Sequence, residues 1–550
     1  MLNDFRHIEK MTSQINHKKE VDLLLIFSNL IINKDEPIYI QIERHITAGI
    51  NSGELKKNSK LPSTREVSKY LNISRNSVIS AYEDLESRGI IVTKRGIGTF
   101  ISIESENESY EYNVDFIQRI NHYGDTLREL DIIKSELPYK KGIISFKSIS
   151  PESHLFNLDD FKRSLLDAWT FEEANLLNYG YAKGYKPLID YFFDYMKQKR
   201  VDTKNKDILI TNGFTEAFDI IISSLTNEGD VILCEEPTHN TALKIMKAYG
   251  LQVVQVKIDK EGLDLKSLEE SLGKYNPKFG YLIPSYNNPT GIVTKTERRK
   301  EIYKLFRKYS VPIIEDGFNE ELLYSSSPID PIASLCGKGN GVIYIGSLSK
   351  ILFPGLRIGW ILGDEKLIDV LESVKRGRNI NSSFLDQSAF YYYLKSGAFN
   401  RYVKNVRKYY RDKYNLVIDM VKKHIPYEHI TGEGGLHIFI QLKDNIDARQ
   451  LLDLCYKDNV LFMPGDIFYE NTKNDIDIQK LNNSDTEFIQ DNETLRKNSN
   501  MGKITKYIEE NKNSLKGKDT FRIGFGRVSN DDIKNGIEII GKNINLLVRK

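Results

Sequence analysis

Six short, largely apolar runs, each followed by a helix-like stretch, constrain this chain more than any other feature. They read DILIT, VILCEE, LQVVQVKI, FGYLIP, VPIIED and VIYIGS, and they fall between residues 207 and 347. Runs of this length, rich in Val and Ile, suit strands covered on both faces. Their alternation with helical segments over residues 142–550 predicts an α/β domain with a mostly parallel, doubly wound sheet. In such a sheet ligands bind at the strand C-termini. A chain of 550 residues exceeds one compact domain, so a separate unit is expected before it.

That unit is predicted over residues 21–103. Ile38, Ile42, Ile46 and Ile50 recur at helical spacing, and Asn51-Ser52-Gly53 stops the helix. Ser63 or Thr64 can cap a second helix, and Ser74 a third with Val78, Tyr82 and Leu85 inward. IIVTKRGIGTFISI then reads as a hairpin around Lys94-Arg95-Gly96. Three helices and a β-wing make a winged helix-turn-helix of α+β class. A recognition helix meets bases with its N-terminal residues, here Ser74, Arg75, Asn76 and Ser77. Arg suits a guanine edge and Asn an adenine edge. Arg65, with Lys94 and Arg95 on the wing, is placed to meet phosphates or a minor groove. Residues 37–103 carry ten Lys and Arg against six Asp and Glu, within a chain of net charge +2. This mild asymmetry points the same way.

Residues 104–141 are expected as a linker, and residues 471–519, poor in apolar side chains and holding nine Asn, as a flexible insertion. Residues 21–32, VDLLLIFSNLII, are too short and too polar to span a bilayer and are read as a core-packing strand or helix. Cys234, Cys336 and Cys455 form no CxxC and no metal spacing. They are expected to be reduced and buried in a cytoplasmic protein without a membrane partner.

Chemistry gathers at the strand ends. VIYIGS runs into SLSKILFPGLRIG, where Lys350 can form a Schiff base with an aldehyde, and Ser347, Ser349 and Arg357 can hold a phosphate. Asn212-Gly213-Phe214-Thr215 follows DILIT and opens a helix whose first amides can bind phosphate. Asn288 lies beyond FGYLIP in SYNNPTG, and Asp316 closes VPIIED. Pyridoxal 5'-phosphate (PLP) requires a lysine on its aldehyde, an anion at the pyridinium nitrogen, a donor near the ring hydroxyl and several phosphate ligands. Each requirement is met here at a strand end.

On these motifs residues 142–550 resemble fold-type I PLP-dependent aminotransferases. PIYIQI, the run from AGINSGELKK to ESRGII and the GxGTF wing resemble the GntR-family winged helix. Together the chain is identified as resembling the MocR subfamily of bacterial transcription regulators. The resemblance implies Lys350 as the Schiff-base lysine, Asp316 as the pyridinium partner and Asn288 as the ligand of the ring hydroxyl. Gly213, Phe214, Thr215, Ser347 and Arg357 match the phosphate cup, and Tyr179 a tyrosine that reaches the neighbouring subunit's phosphate, which implies a homodimer. Arg522 matches the arginine for an amino acid's α-carboxylate. The chain departs from the family pattern twice. Phe318 replaces a tyrosine that bonds the ring oxygen, and His239 stands where an aromatic ring stacks on the cofactor.

The expected function is a PLP-dependent regulator of double-stranded operator DNA that senses an amino acid or amine effector through aldimine exchange at Lys350. Two alternatives remain open: an active PLP-dependent aminotransferase, and a sensor of PLP itself that controls vitamin B6 metabolism.

Overall fold

A computed structural model describes residues 25–548, apart from 34, 104–113, 132–136, 138–139, 318–319, 325–328 and 471–514. The chain divides into two compact units between Arg119 and Ile120.

In the first unit, helices Ile38–Asn51, Thr64–Leu71 and Arg75–Ser87 surround a core that includes Ile42, Ile46, Ile50, Val78, Tyr82 and Leu85. Strands β1 (Lys60–Leu61), β2 (Ile91–Lys94) and β3 (Gly98–Ile101) form an antiparallel sheet in the order β1-β3-β2. Ser63 caps the second helix in a reciprocal capping box with Glu66, which satisfies two otherwise unpaired amides. Asn72 ends that helix in the left-handed conformation, φ 55°, a geometry Asn tolerates through its short polar side chain. It sets the tight turn before the Ser74 cap. The buried Tyr82 hydroxyl donates to Pro62 O at 2.8 Å and ties the third helix to this turn. Of the apolar run at 21–32, residues 21–24 lie outside the described residues. Leu25–Phe27 form a short 3-10 turn, and Phe27 joins the core.

The second unit contains strands β4 (Ile144–Ser145), β5 (Lys206–Thr211), β6 (Val231–Glu236), β7 (Gln252–Asp259), β8 (Gly262–Leu263), β9 (Phe279–Leu282) and β10 (Ile313–Asp316). It continues with β11 (Val342–Ser347), β12 (Gly359–Asp364), β13 (Tyr427–Thr431), β14 (His437–Leu442), β15 (Val460–Leu461), β16 (Met463–Pro464) and β17 (Thr520–Gly524). The main sheet has the order β5-β12-β11-β10-β9-β6-β7-β8, and all six predicted runs form strands in it. Its centre is parallel. The run GWILGD, not anticipated as a strand, is β12 and pairs antiparallel between β11 and β5. Trp360 of β12 stacks on Phe192 at 4.0 Å. Its cross-strand partner is Gly346, where a Cβ would fall 2.1 Å from the indole ring. Only glycine leaves that ring room.

A second, antiparallel sheet, β13-β14-β17-β16, and the parallel pair β15-β4 were also not anticipated. The segment expected as a linker joins the large unit from residue 120 onward. Its helix His122–Glu129 packs on helix Asn240–Ala248, with Tyr123 and Tyr249 rings 5.1 Å apart. Of the expected insertion, 471–514 lies outside the described residues. Residues 515–519 form a turn into β17, and Lys516 pairs there with Glu236 at 2.5 Å. All three cysteines are buried and unpaired.

Candidate functional site

The C-terminal ends of β5, β10 and β11 open into a cavity of about 800 Å³. Its wall holds Phe214, Thr215, His239, Asn288, Asp316, Ser347, Ser349, Lys350, Arg357 and Arg522. The parallel strands of the main sheet gather the residues from Phe214 to Arg357 at one chamber, and the antiparallel strand β17 brings Arg522, 308 positions after Phe214, to the same wall.

Gly213 stands just behind the wall as N-cap of helix Phe214–Leu225, with φ 86° and ψ −173°. Only glycine adopts that backbone readily. The first amides of the helix have no intrahelical partner and, with the helix dipole, favour an anion. Arg357 donates from Nη2 to Asn212 O at 2.6 Å and so lies across the mouth of this turn. A Cβ on Gly213 would stand 3.1 Å from that Nη2. Ser347 Oγ lies 3.2 Å from Ser349 Oγ and accepts from the Ser349 amide at 3.3 Å. Two hydroxyls, a guanidinium and a helix N-terminus make a phosphate-shaped donor set.

Asp316 is buried and receives a hydrogen bond from the Tyr281 hydroxyl at 2.9 Å. Burial raises its pKa to about 7, and the negative Glu320 and Glu315 add to this against the Tyr281 bond. A cationic ring nitrogen beside it would favour the carboxylate. Tyr281 was not singled out in the sequence. Its one signal was a polar-tipped side chain inside the apolar run FGYLIP.

Burial lowers the pKa of Lys350 to about 8, and Arg522, Arg357 and Arg527 lower it further. A larger share of neutral amine near physiological pH is what nucleophilic attack on an aldehyde needs. Burial also depresses His239 to about 3, helped by Lys350 and Arg522, so its imidazole is neutral. Its ring lies 5.2 Å from that of Phe214, on the cavity wall.

Arg522, 5% exposed, donates to Asn288 Oδ1 at 2.7 Å and to Lys147 O at 3.0 Å. Its Nε has no partner, and no carboxylate pairs with it among the described residues. Burial lowers its pKa to about 10, still a cation. A buried guanidinium without a counter-ion calls for an anionic ligand.

Tyr179 is absent from this wall and 82% exposed. Phe318 lies outside the described residues. In the first unit, Arg65, Ser74, Arg75 and Asn76 share the exposed side of the two helices of the turn motif, and Ser77 is half-buried. Arg75 Nε donates to Thr64 Oγ1 at 3.4 Å. Lys94 and Arg95 are exposed on the β2–β3 wing.

This fold and donor set define a PLP-type aminotransferase domain with a winged helix ahead of it, and comparison with known proteins agrees. Residues 151–479 match the aminotransferase class I and II family, and residues 38–101 the gntR family of bacterial regulatory proteins. The chain belongs to the class I and II aminotransferase family and carries a GntR DNA-binding domain ahead of it, the MocR-type arrangement. It is 28% identical over 459 residues to the uncharacterized HTH-type transcriptional regulator YdfD of Bacillus subtilis (strain 168), spanning 80% of this chain and 92% of that one. It is 31% identical over 304 residues to aromatic-amino-acid aminotransferase 1 of Thermococcus litoralis, covering 54% of this chain and 73% of the relative. The fold superposes on kynurenine aminotransferase of Pyrococcus horikoshii, solved in complex with PMP, with a TM-score of 0.64 at 25% identity. That match covers 80% of this chain and 96% of the other.

Proposed function

We propose that this protein is a DNA-binding transcription regulator that holds PLP at Lys350 and senses an amino acid or amine there. The observation that carries this reading is the pairing of Lys350 and Arg522 on one cavity wall, the first a depressed-pKa amine and the second a buried cation lacking an anion. Bound PLP supplies an aldehyde and an electron-withdrawing ring to which an incoming amine can couple. The phosphate would be held by the Phe214 and Thr215 amides with Ser347, Ser349 and Arg357. Asp316 would hold the ring nitrogen, Asn288 the ring hydroxyl, and His239 would cover the ring. Arg522 would orient the carboxylate of an amino acid, and an effector lacking one would forgo that contact.

Sensing requires that the effector bind two states of the protein with different affinity, and by linkage that DNA shift effector affinity equally. A homodimer belongs to this reading. Phe171, Leu177, Tyr179 and Tyr181 are 65%, 78%, 82% and 78% exposed, and large exposed apolar side chains of this kind are what a partner subunit covers. Tyr179 would then reach the partner's phosphate site. A regulator that acts on the chromosome works in the cytoplasm. Among the described residues no helix is long and apolar enough to cross a membrane.

The test is a titration of purified protein with PLP and then amino acids, following cofactor absorbance and operator affinity together. Coupled shifts support sensing. A DNA response to PLP alone would favour the reading as a PLP sensor. Full conversion of the cofactor to its amine form in a single turnover would favour the aminotransferase.

A further inference from the structure

The wall of the cavity beside Arg522 is built from two neighbouring segments, residues 145–149 and 461–463. Leu461 and Met463 face the cavity, while Phe462 between them turns inward with its ring 4.7 Å from that of Phe521. Met463 is the cross-strand partner of Arg522 in the β16–β17 pair, so the two side chains are nearest neighbours on one face. In the second segment Ser145, Lys147, Ser148 and Ile149 line the cavity, and Phe146 is fully buried in the core. The Phe146 amide donates to Leu461 O at 2.7 Å and holds the two segments together. The Arg522 guanidinium itself lies over the Phe468 ring, 5.2 Å from its centre. A carboxylate seated on Arg522 therefore has Leu461, Met463 and Ile149 beside it.

Charge narrows the choice further. Asp316 is the only carboxyl on this wall among the described residues, and Tyr281 already bonds it. A cationic side chain would be desolvated here without a counter-ion. A second carboxylate would give up its water against Leu461 and Met463, and Lys147, the other cation of this stretch, already has a partner of its own. Each methylene buried on such a wall favours binding by roughly fourfold.

Building on the proposed sensing role, we infer that the effector is an amino acid with an uncharged, apolar side chain, which packs on Leu461, Met463 and Ile149 while its carboxylate meets Arg522. The test titrates the PLP-loaded full chain with L-leucine, L-methionine, L-phenylalanine, L-aspartate, L-glutamate and L-lysine. Cofactor absorbance and thermal midpoint are the readouts. At least one apolar amino acid is expected to half-saturate at a tenfold or greater lower concentration than any charged one. Met463→Ala should narrow that gap, and Leu461→Ala does the same job if the first variant folds poorly. A charged amino acid binding most tightly overturns the inference while leaving the sensing role standing. An unchanged ranking in both folded variants overturns it too. If no amino acid perturbs a bound cofactor, the sensing of amino acids fails, and the inference with it.

Discussion

Arg522 of β17 donates from Nη1 to Asn288 Oδ1 at 2.7 Å, across 234 positions of sequence. The bond pins the small antiparallel sheet to the loop beyond β9 and aims a cation without a protein anion into the cavity. Removing the guanidinium deprives a bound carboxylate of its partner and leaves Asn288 short of a donor. A charged hydrogen bond contributes about 1.5–3 kcal/mol, so Arg522→Ala should weaken amino-acid binding about 10- to 150-fold. The check compares an amino acid with its carboxamide by absorbance titration. Wild type should discriminate between them, and the variant should not.

Lys350 makes the cofactor-free protein pH-sensitive. Burial chiefly lowers its pKa to about 8 in the folded chain from the ordinary 10.5. Between those values the unfolded chain holds the proton and the folded one does not, so stability rises with pH across the window. Below it the folded chain carries the buried charge in full. Lys350→Met should therefore stabilise cofactor-free protein at pH 7 by ~1–3 kcal/mol. The advantage should fade as the pH climbs from 8 to 10.5. Urea melts at several pH values test this. Borohydride treatment followed by mass spectrometry should find no cofactor adduct on the variant.

Gly213 carries φ 86° next to Arg357. Gly213→Ala should cost ~1–3 kcal/mol of backbone strain and displace the guanidinium. The expected result is at least tenfold weaker PLP binding, with the affinity for phosphate-free pyridoxal little changed. Equal losses for both ligands would falsify the assignment of this turn to the phosphate.

Arg75 sits on the exposed first turn of its helix, steadied by Thr64. If it reads a guanine edge, Arg75→Ala should cost ~1–3 kcal/mol of operator affinity and relax specificity at that base pair. Gel-shift or anisotropy titrations against operator and random DNA separate the cases. Parallel losses on both would make Arg75 a phosphate contact.

Much of the site was legible in the chain because its signals are local. Asp316 closes an apolar run, and Gly213 and Lys350 come within three residues of the end of theirs, and a parallel sheet brings strand ends together by construction. The winged helix was legible for the same reason, since its caps and apolar spacing lie within one turn of the residues they organise. Tertiary structure alone decided the rest. β12 slots antiparallel between β11 and β5 because Gly346 leaves room for Trp360, a fit invisible in either run alone. Tyr281 meets Asp316, Arg522 meets Asn288, and Met463 lies beside Arg522 through pairings between distant strands. Hydrophobic period reports which face of a segment is buried, but not which segment covers it, and the ligand-facing wall is made of such coverings.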